Sequence, residues 1–102
     1  PVLEVGNQYP VWYTKMIYDG LTQLGEKDIV SLVRCAWAGS QWYGALVWSG
    51  DIPSTFASLR TQIICGLQMA VSGIPWWTPD IGGFHDGDVR DPKFQELLIR
   101  DR

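Results

Sequence analysis

Two aspartates in this chain sit where carboxylates commonly do chemistry. Asp51 closes the segment Trp48-Ser49-Gly50-Asp51 and Asp80 opens Asp80-Ile81-Gly82-Gly83-Phe84, each after a short apolar run, Ala45 to Trp48 and Ile74 to Trp77. An amphipathic helical stretch separates them, so the unit reads strand, carboxylate, helix, strand, carboxylate. In a parallel sheet that crossover returns both strand ends to one edge, and Asp51 and Asp80 are expected to face one pocket. Arg34 follows a third apolar run, Ile29 to Val33, at the equivalent position. Five of the six tryptophans, Trp37, Trp42, Trp48, Trp76 and Trp77, lie in or beside the same loops. Flat apolar faces with one polar handle, next to carboxylates and a forked cation, suit a carbohydrate ligand.

Each of these residues also has a plainer reading. Asp51 is a candidate general acid if burial or a second carboxylate raises its pKa, and equally a helix-terminal carboxylate three residues before Ser54. Asp80 carries the same ambiguity, since Gly82-Gly83 is compatible with a simple turn. Arg34 can clamp sugar hydroxyls or form a salt bridge to Asp51 or Asp80, and one does not exclude the other. His85, Asp86 and Asp88 match no zinc spacing and lack the remaining ligands of a calcium loop, so no metal is expected. There is no phosphate-binding glycine motif and no nucleophile elbow for a serine triad. No cofactor is implied.

The elements that must position these groups can be read along the chain. Tyr9-Pro10 opens a helix whose apolar positions run from Val11 to Leu24, with Gly25 as its stop. Ile29 to Val33 is a strand, and residues 36–44 form a glycine-rich aromatic loop. Ala45 to Trp48 is the second strand. Ser54 or Thr55 caps a second helix carrying Phe56, Leu59, Ile63, Leu67 and Ala70 at helical spacing, with Ile64 and Val71 widening the stripe. Ile74 to Trp77 is a third strand, although Pro75 argues against a regular interior one. Asp91-Pro92 caps a last helix with Phe94, Leu97 and Leu98. Strand-like runs without alternation, each feeding a helix, indicate an α/β fold with a parallel sheet covered on both faces.

Composition narrows the function classes. The 102 residues are 46% apolar and only 19% charged, rich in apolar groups for a domain with so much surface to cover, and resemble the interior of something larger. The formal charge of −3, with no basic cluster, disfavours nucleic acid and anionic membrane surfaces as partners. No apolar run approaches the ~20 residues that span a bilayer. Cys35 and Cys65 are expected as buried free thiols.

Three ordered motifs carry a resemblance. Arg34-Cys35-Ala36-Trp37-Ala38-Gly39-Ser40-Gln41, Trp48-Ser49-Gly50-Asp51 and Gly73-Ile74-Pro75-Trp76-Trp77-Thr78-Pro79-Asp80-Ile81-Gly82-Gly83-Phe84 closely resemble glycoside hydrolase family 31, the α-glucosidases and α-xylosidases. The resemblance implies that residues 1–102 are a single segment of a (β/α)8 TIM barrel, its three runs corresponding to strands five, six and seven. It implies a retaining mechanism with Asp51 as acid/base and Arg34, Trp48, Asp80 and Phe84 in substrate binding; Trp37 and Trp77, from the tryptophan-rich loops, are further aromatic candidates on their residue type alone. The spacing alone pairs Asp51 with Asp80 as two catalytic carboxylates; the resemblance gives that role to Asp51 only. The nucleophile has no counterpart here and is expected upstream, and His85 is not the histidine the family carries beyond strand seven. Trp42 and Pro79 depart from the family pattern, which commonly has arginine and threonine there. The implied partners are an α-linked oligosaccharide or glycoside and the remainder of the barrel. The isolated chain is expected to lack activity and to self-associate, with residues 37–43 and 81–88 its least constrained loops. The alternative expectation is a fragment that binds carbohydrate, or regulates, without hydrolysing.

Overall fold

The structure is a computed structural model that describes residues 2–101. A short helix α1 (Val2–Val5) and a 3-10 turn (Gly6–Gln8), neither foreseen, lead into α2 (Tyr9–Gln23). Then follow β1 (Ser31–Val33), a 3-10 turn (Ser40–Tyr43), β2 (Ala45–Trp48), α3 (Phe56–Val71), β3 (Trp77–Thr78) and α4 (Pro92–Arg100). The strands are parallel in the order β1-β2-β3, with Leu32 beside Leu46, Val47 beside Trp77 and Trp48 beside Thr78. β1 and β3 are the edges.

Local chemistry sets the boundaries. Thr55 is extended, and its hydroxyl accepts from Ser58 N (3.1 Å), which starts α3. Asp91 accepts from Lys93 N (2.9 Å) ahead of Pro92, which needs no amide partner in the first turn of α4. β3 is shorter than the run Ile74 to Trp77 suggests. Pro75 has no N–H to contribute, and pairing begins only where Val47 N donates to Trp76 O (2.8 Å). Thr14 is buried in α2, its hydroxyl donating to Pro10 O (2.8 Å), so a polar side chain tolerates burial by bonding its own helix.

The core lies on one face of the sheet only. Val33, Ala45, Val47 and Ile74 are buried together, with Met69 and Trp77 packed against them. α3 covers this face through Gly66 and Met69, while Leu59 and Gln62, also among its less exposed positions, face Ile52, Gly82 and Leu97. Gly66 matters for its missing side chain, because a Cβ there would stand 3.0 Å from the Trp77 ring. The bulkier stripe does something else. Phe56, Ile63, Ile64, Leu67 and Val71 are exposed, so the apolar periodicity identified the helix but not the side that meets the sheet. The other sheet face is open, with Leu32 65% and Trp76 51% exposed. A single domain of this mass exposes about 5,800 Å² and has a radius of gyration of about 13 Å. The values here are 7436 Å² and 16.2 Å.

Two expectations need correction. Cys35 and Cys65 are free but exposed, because the surfaces their apolar neighbours would pack against are not supplied by this chain. The loops 37–43 and 81–88 are well tied. Ser40 is fully buried and accepts from Trp37 N (3.1 Å), while Phe84 N and His85 N both donate to Ile52 O (2.7 and 3.1 Å).

Candidate functional site

The carboxyl ends of the three strands gather the chemistry. Arg34 directly follows β1, Asp51 lies three residues beyond β2, and Asp80 lies two residues beyond β3. Arg34 Nη1 is 3.7 Å from Asp51 Oδ1, with 34% of the Asp51 side chain exposed. The guanidinium also lies over the Trp48 ring, its Cζ 5.0 Å from the centroid. Trp48 Nε1 donates to Asp80 Oδ1 (3.0 Å). One connected group therefore runs Asp51, Arg34, Trp48, Asp80. Trp48 alternates away from the buried Val47, which aims its indole at the open side of the sheet.

The second carboxylate oxygen of Asp80 is buried without a partner. A buried carboxylate oxygen is costly to leave unpaired, so this atom is suited to accept from a donor outside the described residues. Arg34 pairs with Asp51 and not with Asp80: of the two salt bridges open to it from sequence, only one forms.

The loop after β3 is held against the loop that carries Asp51. Besides the Ile52 carbonyl, Ser54 N donates to His85 O (2.8 Å), and Pro53 and His85 form a parallel bridge. Gly83 is needed for this seam. Its φ is +86°, and a Cβ would meet Ser54 Cα at 2.8 Å. The result is that His85 Nε2 stands 4.0 Å from Asp51 Oδ2, with the Phe84 ring edge-on to the imidazole at 4.9 Å. Sequence reasoning gave His85 no role at the site. No spacing rule links it to Asp51, since the contact depends on the seam.

Two aromatic candidates lie elsewhere. Trp77 shares the face of Val47 and packs on Gly66 of α3, opposite to Trp48, because successive strand residues point to opposite faces. Trp37 lines a recess with Met69, Ser72 and Ile74 at the carboxyl end of α3, whereas Asp51 lies before that helix's amino end. Neither joins the Asp51 group. His85, Asp86 and Asp88 do not converge, and no cluster of three or more His, Cys, Asp or Glu able to hold a metal exists among the described residues. No described helix is long and apolar enough to cross a membrane.

The model of the "Glycosyl hydrolases family 31 TIM-barrel domain" matches residues 2–100. A family 31 glucosidase of Pseudescherichia vulneris is 61% identical over 100 residues, covering 98% of this chain and 19% of that protein. An α-xylosidase of Saccharolobus solfataricus is 41% identical, covering 96% of this chain and 14% of that protein. Among solved structures, a family 31 α-xylosidase from a soil metagenome, complexed with xylose, superposes with a TM-score of 0.95 at 64% identity, over 99% of this chain and 15% of that one. The chain thus spans less than a fifth of the length of each of these relatives.

Proposed function

The chain belongs to glycosyl hydrolase family 31, as part of its TIM-barrel domain, and from that premise we propose that the parent protein is a retaining α-glycosidase acting on terminal α-linked xylose or glucose. The observation that carries this reading is the Arg34–Asp51 pair at the carboxyl edge of a parallel sheet, beside a tryptophan turned to the open face. In this proposal residues 1–102 form one segment of the barrel, and β1, β2 and β3 are its strands five, six and seven. Asp51 is the acid/base. It protonates the departing glycosidic oxygen while a carboxylate from another part of the barrel attacks the anomeric carbon. Asp51 then removes a proton from the water that releases the sugar. Retention requires the two carboxyl groups to stand about 5–5.5 Å apart. Arg34 and Trp48 line the sugar subsite, and Asp80, fixed by the Trp48 indole, offers its free oxygen to a hydroxyl. Phe84 walls the site, with its ring against His85.

Replacing Asp51 by Asn in the full-length enzyme is expected to lower turnover by about 10²–10⁴ on substrates with poor leaving groups. The loss is much smaller on activated aryl glycosides, which depart without a proton. Equal losses on both substrate types refute the acid/base role. Paired kinetics on aryl α-xyloside and α-glucoside assign the sugar. The isolated 102-residue chain supplies the acid without the nucleophile and is inactive in this proposal. Its uncovered edges and apolar face lead it to self-associate, and a monodisperse monomer at ~100 μM by sedimentation equilibrium contradicts that.

A further inference from the structure

Asp51 is flanked by two groups that can carry positive charge, one on each carboxylate oxygen. Arg34 Nη1 lies 3.7 Å from Oδ1 and His85 Nε2 lies 4.0 Å from Oδ2. Both separations lie within ion-pair range and beyond hydrogen-bond reach, so neither group captures the lone pairs an acid/base must use. The two differ in one property. A guanidinium is charged at every working pH, whereas an imidazole changes its charge between about pH 5 and 8.

The placement of His85 is built into the backbone. Its N–H donates to Ile52 O (3.1 Å), its carbonyl accepts from Ser54 N (2.8 Å), and it bridges to Pro53. Immediately after it the chain reverses at Asp86, which adopts φ 64°. Asp51 precedes Ile52 by one residue, so the seam sets the backbone of His85 beside the backbone that carries the carboxylate. The edge contact with Phe84 then restricts the ring itself.

We propose that His85 is a positioning residue for Asp51, its imidazole setting the field in which that carboxyl group works. This rests on the acid/base reading of Asp51 given above. Arg34 from the end of β1 and His85 from the loop after β3 are the charged or titratable groups within ion-pair distance of Asp51 among the described residues; Asp80 is linked to Arg34 through the Trp48 ring. The pH-dependent part of the field on Asp51 therefore comes from His85.

The sign follows directly. Protonated His85 favours ionised Asp51, so the proton-donating form of Asp51 disappears at lower pH than it does without the imidazole. Ionised Asp51 in turn holds the proton on His85. Removing the imidazole lets Asp51 keep its proton to higher pH, and the basic limb of kcat/KM moves upward.

The test uses the full-length enzyme and an aryl α-xyloside with a poor leaving group. Profiles of kcat/KM against pH are compared for the parent, H85Q and H85F. H85F keeps a ring against Phe84, so an effect of disturbed packing appears in H85Q alone. The expected result is the same upward displacement of the basic limb in both variants. An unmoved limb in both, whatever the change in overall rate, overturns the proposal. A second readout is independent of activity: the imidazole signals of His85, followed by NMR, are expected to titrate at lower pH in D51N than in the parent, and an unchanged midpoint also overturns it. The acid/base reading is tested separately by azide rescue of D51A on an activated substrate. Failure of rescue removes that reading and this one with it; rescue together with an unmoved limb removes only the role of His85.

Discussion

On one face of the sheet Val33, Ala45, Val47 and Ile74 lie buried under α3, while on the other Leu32 and Trp76 remain more than half exposed. Composition does not separate the two faces, because both are built from aliphatic and aromatic side chains. What separates them is connectivity. The crossover helix between β2 and β3 is contained in the chain, so the outward face of the sheet is covered locally. The open face needs strands from across a barrel. α3 shows the same division around its own axis, its inward side made of Leu59, Gln62, Gly66 and Met69 and its larger apolar stripe left exposed. The chain completes only the packing that short-range topology can deliver, and its candidate site is assembled on the uncovered side.

The most demanding test of this contrast compares I74A with L32A. In the isolated chain Ile74→Ala is expected to destabilise by about 2–5 kcal/mol and Leu32→Ala by under about 0.5 kcal/mol, read from urea midpoints. In the full-length protein the gap should close, with Leu32→Ala rising into the same range. If Leu32→Ala stays silent there, the open face is not covered as a barrel requires. A second contrast sets Trp77 against Trp48. Trp77→Ala removes the ring packed on Gly66 and should lower stability by about 3 kcal/mol, leaving KM for an activated substrate near that of the parent. Trp48→Phe keeps an aromatic face but loses the donor to Asp80, and should affect catalysis more than melting. The reverse assignment would show that the two faces had been exchanged.

Gly83→Ala probes the seam between the two site loops. An alanine at φ +86° is strained by about 1–2 kcal/mol before its contact with Ser54 is counted. The expected outcome is a lower melting temperature and a loss of activity, because displacing Gly83 draws Phe84 and His85 away from Ile52. Wild-type behaviour of this variant would mean that the seam is not needed. The smallest effect belongs to a pair on neither face. Hydrogen bonds from Arg90 hold the Asp88 carboxyl below the usual aspartate range. The folded value is the lower one, so any stabilisation is present above the unfolded pKa and fades as pH falls through the folded one. Asp88 is fully exposed, and R90Q should return its NMR titration toward the ordinary aspartate range with no measurable change in melting at neutral pH.

Much of the architecture was legible from local rules. β2 spans Ala45–Trp48 as read, α3 begins after Thr55, and α4 begins after Asp91, because caps and proline placement are set by neighbouring residues. The positions of Arg34, Asp51 and Asp80 at strand ends follow from the crossover rule. β1 and β3 are shorter than their apolar runs, since strand limits depend on where a partner's carbonyls stand. Trp77 was assigned to the site because it sits beside the right motif, but strand alternation turns it into the core.

By itself, then, the sequence determined the order of elements from α2 onward, the parallel crossover and the family, because each depends on residue type at short range or on motifs that can be compared directly. Only the tertiary structure decided which side of α3 meets the sheet, which partner Arg34 takes, and that His85 stands beside Asp51. Those choices depend on packing between segments far apart in the chain, where one missing Cβ at Gly66 or Gly83 sets how closely two backbones approach.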